Sequence, residues 1–215
     1  MHELAESEGL LERLRNDRER ALADAFTEHR ERLRQIVDIR FDRRLRSRVD
    51  VDDVLQEAYI QAAQRVEHYL NDVSTSLFIW LRSITCQTLI DVHRRHLGAK
   101  MRDAGREVSI HGVYCPEATS ACLSEILMGS FTSPSAAAIR DEVVDQLEAA
   151  LEQMDVIDRE VLLMRHFEDL TNGEVAQALE LSPSGASARY TRAITRLNEI
   201  LSTISGIQAG EPDGH

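Results

Sequence analysis

The segment from Leu170 to Leu201 constrains the fold most, because its start signals and its turn define two helices. Thr171, with Glu174 three residues later, is the pattern of a capping box and predicts the start of the first helix. Ser182 followed by Pro183 predicts the start of the second helix, with serine as the N-cap and proline at the first helical position. We therefore predict a short helix, a tight turn and a longer helix.

The longer helix has one apolar face and one face that carries arginine. Its apolar residues are spaced by three and four: Ala186, Tyr190 or Ala193, Ile194, Leu197 and Leu201. Residues 182–198 contain three arginines and no acidic residue, a net charge of +3. A short capped helix followed by a basic helix is the helix-turn-helix pattern, in which the second helix enters a DNA major groove. On this segment alone, a helical hairpin that only packs remains an open alternative.

The composition favours small helical domains. The chain has 43% hydrophobic and 5% aromatic residues, and no run alternates with period two, so we predict an all-α fold. The net charge of −12 excludes a protein that simply coats nucleic acid, and any DNA contact must use local basic faces. No apolar run is long enough to enter and span a membrane. With three scattered cysteines and no signal peptide in the sequence, we expect a cytoplasmic chain.

The N-terminal half is predicted to begin with a disordered segment at residues 1–9, followed by helical patterns. A helix starts at Leu10, has Asp17 as a candidate cap for its second piece, and continues through residues 29–48. That stretch holds eight arginines and three acidic residues, a net charge of +5. Either a solvated helix face or a phosphate-binding surface would account for it. Asp50 or Asp52 is predicted to cap the next helix.

Acidic and amide side chains lie together at the start of this next helix. Asp52, Asp53, Gln56 and Glu57 all fall outside its apolar stripe. We see no folding reason for such a patch on this helix. An enzyme or metal site is disfavoured, because no histidine or cysteine completes a ligand set and no glycine-rich phosphate loop accompanies the carboxylates.

A polar loop at residues 71–76 precedes a strongly apolar helix that carries basic residues on one face and at its end. The only tryptophan, Trp80, is expected in the core. Phe78 and Ile79 cannot both be buried on the same face as Trp80, so we expect at least one apolar side chain to be exposed near the loop. Exposed aromatic rings beside basic residues suit stacking on unpaired bases.

The centre and the end of the chain complete the predicted organisation. Residues 98–133 are predicted to form a linker with a short helix at 117–129, and residues 204–215 a disordered tail. Two further helices are expected before the helix-turn-helix. His111, Cys115 and Cys122 match no zinc-binding spacing, so we predict neither a metal nor another cofactor.

Two helical domains joined by a linker resemble a bacterial RNA polymerase sigma factor of the sigma-70 family, of the extracytoplasmic-function type. The resemblance covers residues 10 to about 203. It rests on the order and spacing of four segments: LLERLRNDRERALADAFTEHRERL, VDVDDVLQEAYIQA, SLFIWLRSITCQTLIDVHRRH and LEQMDVIDREVLLMRHFEDLTNGEVAQALELSPSGASARYTRAITRL. It implies that residues 10–97 bind core polymerase and the promoter −10 element, and that residues 134–203 bind the −35 element.

The resemblance also assigns residues to each contact. Contacts to core RNA polymerase, whose β′ and β subunits are the implied partners, fall on Asp52, Asp53, Gln56 and Glu57. Contacts to the melted −10 strand fall on Asn71, Asp72, Ser74, Thr75, Ser76, Phe78, Arg82, Arg94 and Arg95. Contacts to the −35 duplex fall on Ser184, Gly185, Ser187, Ala188, Arg189, Arg192 and Arg196. An anti-sigma factor is a further candidate partner, and the chain is not expected to be an enzyme by itself.

Two departures from the family pattern bear on these assignments. Family members usually have Thr-Val-Lys-Ser-Arg where this chain has Gly-Ala-Ser-Ala-Arg at 185–189, so a −35 preference cannot be transferred. Glu180 stands where the turn usually has glycine, and because glutamate is strained at positive φ we expect an altered turn. Two rival functions are a stand-alone helix-turn-helix regulator that never engages polymerase, and an adaptor whose hairpin only packs.

Overall fold

The structure is a computed structural model that describes residues 2–97, 120, 122–124, 126–127 and 137–209. Within these ranges the regular elements are all helical, which confirms the predicted all-α class. The helices are α1 (His2–Asn16), α2 (Arg18–Arg40), α3 (Val51–Asn71), α4 (Leu77–Leu97), α5 (Ala137–Glu152), α6 (Val156–His166), α7 (Asn172–Ala178) and α8 (Pro183–Ala209), with a short 3-10 helix at Arg43–Leu45. Among the described helices, none has the length and apolarity that crossing a bilayer requires.

The helices fall into two compact units, and each is described by itself. Helices α1 to α4 belong to the first unit, and α5, α6 and α8 belong to the second. The short helix α7 belongs to the second unit up to Ala176, whereas Gln177–Glu180 are grouped with the first.

In the first unit, α3 and α4 pack against each other and α2 packs against both. Helix α2 buries a stripe at spacings of three and four, which is the reason it forms an amphipathic helix. That stripe consists of Ala21, Leu22, Ala25, Phe26, Leu33, Ile36 and Val37. Helix α4 is buried on most of its circumference, because α2, α3 and the 3-10 helix all contact it.

The burial of α4 corrects one prediction. Phe78 and Ile79 are both buried, and Trp80 is half-buried with its ring stacked 4.7 Å from the ring of Tyr69. None of the three is exposed near the loop. The expectation assumed that α4 has a single buried face, whereas a helix that is apolar all round is packed on several sides.

Several predicted helix boundaries differ from those observed. Helix α1 already begins at His2, within the segment predicted to be disordered. Helix α2 ends at Arg40 instead of continuing to residue 48, because Phe41 adopts an extended backbone with φ −79° and ψ 119°. The ring of Phe41 is buried there, edge-on to His93. Of the two candidate caps of α3, Asp50 is the one used.

The predicted linker and tail are described only in part. Residues 120, 122–124 and 126–127 are helical, in agreement with a short helix at 117–129, and the other residues of 98–136 lie outside the described residues. His111 and Cys115 are among the residues outside that description. Helix α8 continues to Ala209, so it extends past residue 203, where the predicted domain ends.

In the second unit, α5 and α6 both pack against α8. Helix α8 contributes Ala186, Ala193 and Ile200, which are buried and spaced by seven residues along one seam. Leu147, Leu151, Val161 and Leu162 supply the facing core. Because two of the α8 seam residues are alanines, the neighbouring helices can approach α8 closely and hold its other face towards solvent.

Candidate binding surfaces

The acidic start of α3 performs a structural task that the sequence analysis did not foresee. The Asp50 carboxylate accepts a hydrogen bond from the Asp53 N–H at 2.8 Å, and the Asp53 carboxylate accepts one from the Asp50 N–H at 3.1 Å. This reciprocal pair is a capping box, which satisfies two backbone donors of the first helical turn. The view that folding gives no reason for this patch is therefore wrong for Asp53.

Asp52 connects α3 to α2. Its carboxylate accepts hydrogen bonds from the guanidinium groups of Arg30 at 2.6 Å and Arg34 at 2.7 Å. The hydrogen bond from Arg34, with the positive charges of both arginines, holds the pKa of Asp52 below its usual range. Asp52 is thus neutralised within the unit, and it presents less negative charge to a partner than the sequence suggested.

Glu57 connects α3 to α4. Its carboxylate accepts a hydrogen bond from Arg95 at 2.6 Å, and both side chains are partly exposed. Glu57 was predicted to contact polymerase and Arg95 to contact DNA. The structure joins these two predicted sites by one ion pair between residues 38 positions apart, a contact that helical periodicity could not reveal.

The exposed face of α3 also contains an apolar residue that the sequence analysis missed. Ile60 is 54% exposed, and it follows Asp53 by seven residues on the side of the helix that carries Gln56 and Glu57. Gln56 is exposed as well. The spacing was a usable signal, because residues seven apart share a helix face. We call Asp53, Gln56, Glu57 and Ile60 the α3 surface.

The loop between α3 and α4 is anchored at both ends and exposed in its centre. Asn71 is the last residue of α3, and Asp72, Val73 and Ser74 are exposed. The buried Tyr69 hydroxyl donates a hydrogen bond to the Thr75 carbonyl at 3.0 Å, and burial raises the pKa of this hydroxyl to about 12. The apolar Val73 is 41% exposed at the tip.

At the start of α4 the loop is held by a cap. The Ser76 hydroxyl accepts a hydrogen bond from the Ile79 N–H at 3.4 Å, as the predicted N-cap requires. With Tyr69 holding one side and Ser76 the other, the exposed residues of the loop are presented from a fixed base.

Two predicted DNA contacts are buried. The Phe78 ring lies 3.7 Å beneath the Arg32 guanidinium and packs beside His29, with 5% of its surface exposed. Arg82 is only 2% exposed. These two assignments are corrected, because the resemblance identified them by position on α4 and could not account for the helices that cover α4 on several sides. Arg94 and Arg95, near the end of the same helix, are exposed.

Much of the positive charge between residues 29 and 48 is neutralised within the unit. Arg44 pairs with Asp42, and Arg46 pairs with Asp38 at 2.9 Å. The hydrogen bond from Arg44 contributes most to a lowered pKa of the Asp42 carboxyl. Arg30 and Arg34 are likewise bound to Asp52, so this stretch is less basic than its net charge suggests.

The second unit contains both predicted caps of the helix-turn-helix. Glu174 accepts a hydrogen bond from the Thr171 N–H at 2.7 Å, and the Glu174 N–H donates to the Thr171 hydroxyl at 3.2 Å. The Ser182 hydroxyl accepts a hydrogen bond from the Gly185 N–H at 3.0 Å. These contacts fix where α7 and α8 begin.

The turn between α7 and α8 keeps the left-handed conformation despite its glutamate. Glu180 has φ 53°, and the Leu181 N–H donates to the Ala176 carbonyl at 2.9 Å, as in a Schellman motif. The expectation of an altered turn is therefore wrong. The helix end keeps its usual geometry. The backbone of Glu180 adopts a left-handed conformation that is strained for glutamate and would be unstrained for glycine.

The predicted −35 contacts lie mainly on the exposed face of α8. Ser184, Ser187, Ala188, Arg192 and Arg196 are exposed, whereas Gly185 and Arg189 are half-buried. The Ser187 hydroxyl donates to the Asn172 side chain at 3.2 Å, and the Asn172 amide donates to the Pro183 carbonyl at 2.9 Å. Asn172 therefore fixes the angle at which α8 leaves the turn.

Arg189 and Arg192 have acidic partners that the sequence analysis did not identify. Nη1 of Arg189 donates to Asp155 at 2.9 Å and to Asp158 at 2.8 Å. Nε of Arg192 lies 3.5 Å from the other carboxylate oxygen of Asp158. Asp155 is also the N-cap of α6. Only this cap position was readable from the sequence, since the partner arginines are more than 30 residues away.

A groove of about 760 Å³ runs beside this cluster on the second unit. The start of α6 and the face of α8 line it, with Asp158, Arg192 and Arg196 as its charged contributors together with Asp155 and Glu199. Thr191 and Thr195 place hydroxyl groups in the same wall. A groove of mixed charge with hydroxyl groups is suited to polar ligands such as a nucleic acid backbone or a protein surface.

Comparison with known proteins identifies both halves of the chain. The model of sigma-70 region 2 matches residues 26–97, and the model of sigma-70 region 4 matches residues 145–197. Together they cover more than half of the chain. The structure of CnrH in complex with the cytosolic domain of CnrY resembles the chain with a TM-score of 0.51 and 19% identity, covering 92% of this chain and 97% of that one. No curated protein matches the sequence.

Proposed function

Because this chain belongs to the sigma-70 family, we propose that the α3 surface binds core RNA polymerase and that the loop after α3 and the face of α8 bind promoter DNA. As a sigma factor, the chain directs RNA polymerase to promoters. The predicted resemblance to a sigma factor of the sigma-70 family is confirmed by the matches to sigma-70 regions 2 and 4. This pair of regions disfavours a stand-alone regulator.

The composition of the α3 surface supports the polymerase contact. Ile60, the most exposed large apolar side chain of the described residues, is surrounded on the same face by Gln56 and the carboxylates of Asp53 and Glu57. An apolar centre with a polar rim is the usual anatomy of a protein interface. We propose the β′ subunit as its partner, as the family resemblance implied, with β as a second contact of the chain.

Gln56→Arg tests the polymerase contact with little risk to the fold, because Gln56 is exposed and takes no part in the capping box. We expect the affinity for core polymerase to fall about tenfold, since a charge placed within an interface typically costs over 1 kcal/mol. The matched control is Gln146→Arg, at an exposed glutamine of α5. Equal binding of polymerase by both variants, with unchanged melting temperatures, would exclude the α3 surface.

The −10 contact is proposed for the exposed loop centre and the end of α4. Asp72, Val73 and Ser74 are accessible and lie on an anchored base, and Arg94 and Arg95 can neutralise phosphate. Holding an unpaired base requires a pocket that offsets the cost of unstacking, a few kcal/mol. We propose that the loop supplies this pocket, and that Phe78 and Arg82 support it from the core without touching DNA.

The −35 contact is proposed for the residues of α8 that the resemblance assigned, namely Ser184, Gly185, Ser187, Ala188, Arg189, Arg192 and Arg196. The polar side chains of this face can donate hydrogen bonds to base edges and phosphates of a duplex. Transcription from a randomised promoter library with reconstituted polymerase would yield the −35 and −10 sequences together. We expect promoter-dependent transcripts with wild type and a loss of −35 selectivity with Arg192→Ala.

A protein partner that controls the chain is a further part of this proposal. The matched structure is that of CnrH in complex with the cytosolic domain of CnrY. We propose that this chain likewise has a regulatory protein partner, the anti-sigma factor that the sequence resemblance made a candidate. Purification of the full chain from its native cell under mild conditions, followed by identification of stoichiometric partners other than polymerase, would test this.

A further inference from the structure

Asp158 lies where α6 meets the DNA-facing helix α8, and it contacts two arginines at once. One carboxylate oxygen accepts a hydrogen bond from Arg189 at 2.8 Å, and the other lies 3.5 Å from Nε of Arg192. The residue is 8% exposed, although it carries a charge. A buried carboxylate is usually paired in this way, because unpaired burial is costly.

The position of Asp158 is fixed by its own helix. It occupies the first turn of α6, where the helix dipole favours negative charge, and its N–H donates to the Asp155 carboxylate at 3.4 Å. Asp155 shares the Arg189 guanidinium at 2.9 Å. Arg189 therefore has two acidic anchors on α6, whereas Arg192, three residues further along α8, has Asp158 and remains exposed.

This arrangement affects DNA binding in two ways. A guanidinium group held by a carboxylate has lost much of its rotational freedom before DNA arrives, so a contact that suits the held orientation costs less entropy. The carboxylates also cancel much of the local positive charge, and it is this charge that attracts any phosphate backbone irrespective of sequence. The restricted orientation of the guanidinium group thus strengthens contacts to a matching DNA sequence, whereas the cancelled positive charge weakens binding to any DNA.

We propose that Asp158 is a positioning residue for duplex recognition, which holds Arg189 and Arg192 on α8 so that they favour one DNA sequence over others. The inference rests on the proposed function of α8 as the helix that contacts the −35 element. Asp158 itself does not touch DNA in this role. Its contribution is to increase the ratio of the affinity for the preferred duplex to the affinity for unspecific DNA.

The test uses the full chain assembled with core RNA polymerase. Wild type, Asp158→Asn and the control Asp145→Asn each select bound sequences from a duplex library that is randomised at the upstream element of a promoter transcribed by the wild-type holoenzyme. In parallel, binding of the free chains to poly(dI-dC) is titrated against KCl. Asp145 is an exposed acid of α5, so the control removes the same charge from the same unit.

We expect Asp158→Asn to reduce the ratio of specific to unspecific affinity about tenfold. Its binding to poly(dI-dC) should become tighter, with a slope against log salt that steepens by about one, because one neutralised cation becomes available to phosphate. Asp145→Asn should keep the wild-type ratio. A merely structural role of Asp158 would weaken specific and unspecific binding together and leave the ratio unchanged, which would overturn the inference.

A second variant separates position from charge and covers the case in which Asp158→Asn fails to fold. Asp158→Glu retains the charge but moves the carboxylate by one methylene group. We expect its salt slope to match wild type while the specificity ratio falls, and an unchanged ratio would overturn the positioning role. If the wild-type holoenzyme itself selects no upstream sequence, then the proposed function of α8 fails, and that result is distinct from the outcomes above.

Discussion

His93 is a titratable residue placed inside the first unit. It is 2% exposed, its Nε2 accepts a hydrogen bond from the Asp42 N–H at 3.4 Å, and its ring meets Phe41 edge-on. Burial lowers the pKa of His93 below 6.5, with the Arg44 charge acting in the same direction and the Asp42 carboxylate opposing it. The neutral ring is therefore the form that fits the fold.

The stability of the chain should fall as the pH drops below about 6.5. Between that value and the lowered pKa of folded His93, the unfolded chain binds a proton that the folded chain does not, so stability rises with pH in this window. Thermal melts at pH 7.5 and 5.5 should show this loss in wild type and a smaller one in His93→Gln. The exposed His68 is the control, and His68→Gln should behave like wild type. Identical pH dependence in all three would contradict the assignment.

Glu180 offers a second test at the residue level, because its φ of 53° belongs to the region that favours glycine. We expect Glu180→Gly to stabilise the turn between α7 and α8 by about 0.5–1 kcal/mol, since relief of the strained backbone exceeds the added freedom of the unfolded chain. Gln177→Gly, within α7, should instead destabilise by about 1 kcal/mol. Urea unfolding measures the change in the free energy of unfolding for both variants. A loss of stability in Glu180→Gly would contradict the claim that the Glu180 backbone is strained.

N-cap residues define where the helices of this protein begin, but they differ in the hydrogen bonds that they make to the helix. Asp50 makes a reciprocal capping box at the start of α3, whereas Asp17 occupies the N-cap position of α2 without a side-chain hydrogen bond to the helix. The same residue type thus stands at two helix starts with different contacts. The difference matters for function, because Asp53 serves both the box and the proposed α3 surface.

We expect Asp50→Ala to destabilise the first unit by about 1–2 kcal/mol, because it removes the acceptor for a backbone donor of α3. Asp17→Ala should have a much smaller effect, since no cap bond is lost. Denaturant midpoints of the two variants provide the measurement, with far-ultraviolet circular dichroism as a check of helix content. Equal losses of stability in Asp50→Ala and Asp17→Ala would show that the capping box contributes nothing beyond the negative charge at the helix start.

Sequence reasoning predicted those elements whose signals are local. The Thr171–Glu174 box and the Ser182 cap depend on residues three apart, and both are present as predicted. The end of α2 at Arg40 and the burial of Phe78 and Arg82 depend on packing between helices, which periodicity within one helix cannot reveal. The fold class was therefore accessible from the sequence, but the surroundings of α4 were not.

The sequence offered candidate site residues on α3 and α8 but not the residues elsewhere in the chain to which they are bound. Asp53, Gln56 and Glu57 of the α3 surface and the candidate residues of α8 were identified from motifs, whereas Ile60 was missed. Their partners lie far away along the chain, with Asp52 bound by Arg30 and Arg34, and Arg189 bound by Asp158. No single-sequence rule connects residues at such separations, because any surface arginine and any surface carboxylate are equally plausible as a pair.

Across the whole molecule, acidic residues outnumber basic ones, and many arginines of the described residues have carboxylate partners. The net charge is −12. Arg30, Arg34, Arg95 and Arg189 are examples whose guanidinium groups hydrogen bond to carboxylates within their own unit. The free chain should therefore attract DNA weakly and depend on polymerase for much of its promoter affinity.

Removing the carboxylate of Glu57 should increase the affinity of the free chain for single-stranded DNA. An exposed ion pair contributes up to about 1 kcal/mol, so releasing Arg95 should strengthen binding about two- to fivefold. The comparison is Glu57→Gln against Glu67→Gln, since Glu67 pairs with Arg18 on α2. Fluorescence anisotropy with a labelled oligonucleotide provides the measurement. Equal gains in affinity in the two variants would show that the changed net charge, and not the release of Arg95, is responsible.

The pair between Glu57 and Arg95 also implies cooperativity between the two partners proposed for the first unit, polymerase and the promoter strand. Each side chain is held by the other, so a partner that neutralises Glu57 releases Arg95, and a strand that engages Arg95 releases Glu57. Thermodynamic linkage requires the two effects to be equal in size. Polymerase bound at α3 would then favour capture of the promoter strand, and departure of polymerase would weaken the hold on that strand by the same factor.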